Sequence, residues 1–173
     1  MTELQQLLQH LRQPEYVHVL LNPLPVYATA GGLLALVGAL VWRSRPAQVA
    51  ALTVVLFGCA AVWPVIEYGE AGYDRVLAMS NADAQQWLKV HMERAERFAP
   101  VFYVTALLAL AAIALPWKFP KSATPLAAAT LVLAVIALGI GGWISHAGGQ
   151  VRHSEFRGEP PPVTQEDHHE HHH

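Results

Sequence analysis

Four stretches of this chain, residues 16–42, 46–66, 98–117 and 122–145, contain no Asp, Glu, Lys or Arg. Each is about 20 residues or longer, the length a helix needs to cross roughly 30 Å of hydrocarbon. A helix of a soluble domain alternates apolar and polar faces with a 3.6-residue period. Residues 126–144 have no polar face apart from Thr130. The expected fold is therefore all-α, an integral membrane four-helix bundle with spans at about 20–42, 46–66, 98–117 and 122–146, within a membrane domain at 16–157.

Charge sets the expected orientation. The first short loop carries Arg43 and Arg45, the second Lys118 and Lys121, and neither contains an acid. Short loops rich in Lys and Arg stay in the cytoplasm. The N-terminus, the segment 67–97 and the C-terminus are then periplasmic, and the expected location is a bacterial inner membrane. Trp42, Trp63, Trp117 and Trp143 lie near span ends, where amphipathic rings favour the interface. Every acid and every histidine falls on the periplasmic side.

The N-terminal segment lacks the basic and apolar regions of a cleavable signal peptide. Leu4, Leu7, Leu8 and Leu11 recur at helical spacing. Residues 1–15 thus read as an amphipathic helix lying in the membrane interface. Small residues mark helix contacts where lipid supplies no hydrophobic drive. Ala127, Ala134, Gly141 and Gly148 form one such stripe, and Ala28, Gly32, Ala35 and Ala39 another. The only cysteine, Cys59, lies inside the second span and reads as a packing residue.

The outer segment between spans 2 and 3 has a structure of its own. Residues 67–72, with Gly69 and Gly72, are expected to end the second helix in a turn. Ser80, Asn81 and Asp83 read as a turn with helix-capping residues. A helix then runs from Ala84 into the third span, with Trp87, Val90, His91 and Arg94 along one face and Pro100 as a kink. On the fourth helix His146 and His153 are two turns apart, roughly 10 Å, which is too far to hold one ion between them. His153 and Glu155 diverge on an unbroken helix, and an end at Gly148-Gly149 would change that.

Residues 148–157, Gly-Gly-Gln-Val-Arg-His-Ser-Glu-Phe-Arg, resemble the Gly-Gly-x-Ile-Arg-His-x-Glu-Ile/Phe-Arg ending of small four-helix bacterial membrane proteins of the DUF2231 type. The opening of the first span (residues 20–26), Pro64 with Gly69-Glu70, and His91 fit the same pattern. The likeness extends over about residues 18–157. Some similar proteins have His where this chain has Asn22 or Tyr27. The resemblance implies an integral membrane protein and supplies no mechanism.

His18, Glu67, Glu70, His91, His146, Arg152, His153 and Glu155 fall near one membrane level. Imidazoles with carboxylates suit Zn, Cu or Fe, and a histidine pair on facing helices suits haem b. Three readings of the set stay open. In the first, His91, His153, Glu70 and Glu155 bind a transition metal. In the second, His91 and His153, with His146 next in line, hold haem b. In the third, the set is structural, with Arg152 paired to Glu67 or Glu70, in a subunit of a larger membrane complex. His10 and His18 read as interfacial. Covalent c-type haem is excluded, because there is no Cys-x-x-Cys-His.

The tail at 158–173 starts Pro-rich and is expected to be disordered. Its His168, His169 and His171 lie among acids, a composition that binds metal loosely. The chain has no Gly-rich phosphate loop, no Gly-x-Ser-x-Gly and no His-Glu-x-x-His, which points away from an enzyme. The net charge of −2 disfavours nucleic acid as a partner; the lipid bilayer is the expected one.

Overall fold

The computed structural model describes residues 2–158, 160 and 161, and among them every regular element is helical. The helices are α1 (Glu3–His10), α2 (Pro14–Leu21), α3 (Leu24–Val41), α4 (Arg45–Ala60), α5 (Val62–Ala78), α6 (Ala82–Ala114) and α7 (Ala123–Arg152). Short 3-10 turns at Leu115–Trp117, Pro120–Ser122 and Ser154–Phe156 complete the order. Four continuous rods, Pro14–Val41, Arg45–Ala78, Ala82–Trp117 and Pro120–Arg152, are long and apolar enough to cross a membrane. The protein is thus a multi-pass membrane protein in contact with lipid. Its tail histidines His168, His169 and His171 lie outside the described residues.

Prolines set the joints. Pro64 has no N–H for the carbonyl of Ala60, the last residue of α4, so α4 and α5 meet at Ala61. Pro25 stands in the same relation to Leu21, the last residue of α2. Pro100, in contrast, sits inside an unbroken α6. Arg43 takes φ 52° just after α3, and Ser44 N–H donates to Ala39 O at 3.1 Å. This is a left-handed C-terminal cap, normally a glycine role.

Packing is inverted relative to a soluble protein. Leu34, Val41, Trp42, Phe57, Trp63, Leu107 and Val132 face outward and are exposed. The interior is rich in small residues: Ala51, Cys59, Ala106, Ala109, Ala127 and Ala134 are buried, together with Leu36, Leu52, Val55 and Phe102. The helices form a ring in which α3 packs on α4 and α7, and α6 packs on the same two. The α7 stripe is buried at Ala127, Ala134 and Gly141. In α3 the buried face is Pro25, Thr29, Gly32, Leu36 and Ala39, while Ala35 is exposed. The stripe expected at Ala28 and Ala35 is therefore rotated by about one residue. Gly32 explains the register, because a Cβ there would lie 2.9 Å from Val55 N, so α3 and α4 touch backbone to backbone.

One end of the bundle departs from the sequence reading. The second rod does not end at Gly69 or Gly72, since α5 continues to Ala78. These glycines serve approach rather than turning. At Gly72 a Cβ would lie 2.9 Å from Glu15 N, and α5 packs along α2. Arg75 closes that pair with an ion pair to Glu15 at 2.7 Å. Asn81 caps α6 by accepting from Ala84 N–H at 2.9 Å, and the helix runs unbroken into the membrane segment, as the sequence predicts. Thr2 and Gln5 form a capping box on α1, whose Leu4, Leu7, Leu8 and Leu11 are all exposed.

Candidate functional site

Four helices, α2 and α5 on one side and α6 and α7 on the other, enclose a cleft of about 580 Å³ at the histidine-bearing end. That size lies within the range of small-molecule and cofactor sites. Its walls include apolar Val19, Ile66, Leu88 and Met92, and its polar lining includes His18, Tyr68, Glu70, His91, Arg152 and His153.

Two histidines are held in the cleft by the same local device. His18 on α2 donates from Nδ1 to Val65 O on α5 at 2.8 Å. Its ring rests on Gly69, where a Cβ would lie 2.9 Å from that Nδ1. His91 on α6 donates from Nδ1 to Ile144 O on α7 at 3.0 Å. Its ring rests on Gly148, where a Cβ would lie 3.0 Å from Cε1. Each carbonyl belongs to the residue four before the glycine, so each imidazole spans one helical turn of its neighbour. A side chain at either glycine would press against the ring and displace it.

The tautomer follows. A carbonyl only accepts, so each Nδ1 carries a proton and each neutral ring keeps its lone pair on Nε2. Ligating histidines are oriented in this way, with the second ring nitrogen donating to a backbone carbonyl. The two ring centroids are 6.2 Å apart and the planes cross at 83°. Imidazoles that coordinate one metal from opposite sides, at about 2 Å per bond, hold their centroids roughly 6 Å apart.

The other histidines sit differently. His153 lines the mouth of the cleft but is the C-cap of α7, half exposed, with its ring 4.8 Å from that of Phe156. Its backbone leaves the helix there, so Glu155 swings back and accepts from its Nδ1 at 3.0 Å. Glycines 148 and 149 do not end the helix; it stops at Arg152. Bonding to its own backbone N–H and to His153 holds the Glu155 carboxyl below the usual range. His146 accepts at Nε2 from Gln150 at 2.8 Å and is not part of the cleft lining. Glu70 and Arg152 line the cleft while Glu67 does not, and among the described residues Arg152 forms no ion pair with Glu67 or Glu70.

The fastening role falls instead on Arg157. Its guanidinium donates to Gln150 O at 2.8 Å and Val151 O at 3.1 Å, two of the open carbonyls at the end of α7. It also reaches Asn81 Oδ1 at 3.5 Å and Asp83 Oδ2 at 4.0 Å at the start of α6. The ending noted in the sequence is thus divided among three tasks. Gly148 receives His91, Gln150 holds His146, and Arg157 ties α7 to α6. On the same face Arg94 stacks 3.8 Å above Trp143.

Among the described residues, no three His, Cys, Asp or Glu side chains come together in a way that could hold a metal ion. The sequence set of His91, His153, Glu70 and Glu155 is accordingly not one cluster. The sequence places His18 in this outer set but reads it as interfacial; its contacts with Val65 O and Gly69 are visible only in the structure. The available signal was Gly69. A glycine inside a helix costs about 0.5–1 kcal/mol relative to Ala, so its presence there calls for a close neighbour. Comparison of the chain with protein-family models, with curated proteins and with solved structures finds no match.

Proposed function

We propose that this protein is a bis-histidine redox protein of the bacterial inner membrane, carrying haem b between His18 and His91 in the cleft. The observation that carries the reading is the pair of imidazoles at 6.2 Å, each fixed through Nδ1 to a carbonyl of the neighbouring helix. Haem would need two ligands from the protein, the number that His18 and His91 could supply. A bare transition metal asks for more protein ligands than this pair provides. The apolar walls suit a macrocycle, and Arg152 with Tyr68 at the lining suits its carboxylates. Bound there, haem supplies one-electron transfer. In that reading His18 and His91 would hold the haem iron, and Arg152 with Tyr68 would meet its carboxylates.

The same reading puts both termini and the cleft in the periplasm, because Arg43, Arg45, Lys118 and Lys121 occupy the opposite loops without an acid. The exposed leucines of α1 then lie in the outer headgroup layer. The resemblance to the DUF2231-like proteins over about residues 18–157, most specific at residues 148–157, supports the same membrane reading.

The test is the absorption spectrum and metal content of the full chain, expressed with haem available and purified in detergent. A Soret band with one haem per chain supports the proposal. Stoichiometric metal without a Soret band returns the site to a bare transition ion. Neither signal leaves the histidines as structural, in a subunit of a larger complex.

A further inference from the structure

The opposite end of the bundle holds a second cleft, of about 610 Å³, where the ends of α3 and α4 face the loop that leads into α7. Arg43, Arg45, Gln48 and Thr124 contribute its polar lining, and no acid is among its residues. Arg45 is anchored from one side only. Its Nη2 donates to Ala112 O at 2.8 Å and Ile113 O at 3.1 Å, open carbonyls at the end of α6. Nη1 of the same guanidinium is shielded from solvent and has no partner. Gln48 is 5% exposed, and its Oε1 is likewise unpartnered. A shielded guanidinium N–H without an acceptor is destabilising. Two residues that line one cationic cavity, Arg45 and Gln48, therefore carry an unmatched donor and an unmatched acceptor just beneath its surface.

We propose that this cleft binds an anionic phosphate ester that also carries a free hydroxyl, the headgroup chemistry of a phosphatidylglycerol-type lipid. A phosphate oxygen satisfies Arg45 Nη1, with Arg43 adding charge, since guanidinium matches phosphate geometry. A glycerol hydroxyl donates to Gln48 Oε1. Choline, which has no hydrogen-bond donor, leaves that oxygen unmatched. Trp42 and Trp117 beside the cleft are exposed, as residues at the headgroup level are. Lys118 and Lys121 add positive charge to the adjoining loop.

The test is native mass spectrometry of the full chain in detergent, titrated with phosphatidylglycerol, phosphatidylcholine and soluble glycerol phosphate. Phosphatidylglycerol is expected to bind at least tenfold more tightly than phosphatidylcholine. Gln48→Leu and Arg43→Gln are each expected to weaken it about tenfold. Arg45→Gln is expected to weaken it further, and the first two variants decide the matter if that one does not fold. Glycerol phosphate that competes with the lipid supports the same chemistry. Glycerol phosphate that binds alone, with no lipid preference, supports the site and assigns it to a soluble ester. Equal affinity for the two lipids without glycerol phosphate binding, or a preference unchanged in all three variants, overturns the proposal.

Discussion

Gly148→Ala tests the device that holds His91. Any alanine in the middle of α7 gains about 0.5–1 kcal/mol of helix propensity over glycine. At Gly142 nothing lies within 4 Å of the added Cβ, so that gain stands alone. At Gly148 the Cβ meets His91 Cε1 at 3.0 Å and Nδ1 at 3.1 Å. The ring must shift by a few tenths of an ångström, stretching its 3.0 Å bond to Ile144 O. Overpacking of this kind costs about 1–3 kcal/mol, and the weakened hydrogen bond about 0.5–1.5 kcal/mol. Gly142→Ala is thus expected to be slightly stabilising and Gly148→Ala destabilising, with about 2 kcal/mol between them. For a chain of this size that difference is roughly 4–8 °C in Tm. The assay is thermal unfolding in one detergent, with the two variants side by side. Equal Tm shifts for the two substitutions would refute the close-approach argument.

Two further expectations follow from the same end of the molecule. Arg157→Ala removes the clip on Gln150 O and Val151 O. Hydrogen exchange at the end of α7 and the start of α6 should accelerate about 30-fold, the equivalent of about 2 kcal/mol. Arg157→Lys should recover only part of this, because an ammonium lacks the guanidinium fork. The Glu155 carboxyl is depressed by its hydrogen bonds to its own backbone N–H and to His153. A depressed carboxyl contributes stability that is present above its unfolded pKa and lost as pH falls through its folded pKa. NMR of ¹³C-labelled Glu should show Glu155 titrating below the other exposed glutamates, with His153→Ala moving it back up.

The sequence made the transmembrane rods legible because hydropathy and length are local properties. Uncharged runs of about 20 residues leave a chain few alternatives. The cap at Asn81 and the continuous α6 were legible for the same reason. Gly69 and Gly72 were misread because a glycine is ambiguous alone. It can end a helix or admit a neighbour, and only the packing of α2 on α5 decides between them. The contacts of His18 were hidden for the same reason, since nothing within residues 14–21 announces Val65 O or Gly69. The pairing of His153 with Glu155 depended on where α7 stops. That point is set by the extended backbone of His153, not by the glycine pair before it. The expected contact of Arg152 with Glu67 or Glu70 came from shared depth alone. Arg157 took the fastening role through the open carbonyls of α7, which become visible only once the chain turns back at Ser154–Phe156.

The central claim is that His18 and His91, rather than His91 and His153, make the site. It is tested most directly by haem content per chain in the wild type and in His18→Ala, His91→Ala and His153→Ala, each purified in detergent after expression with haem available. One haem is expected in the wild type and in His153→Ala, and loss of the six-coordinate low-spin spectrum in both His18→Ala and His91→Ala. A low-spin spectrum that survives in His18→Ala, or one that disappears in His153→Ala, would contradict that claim.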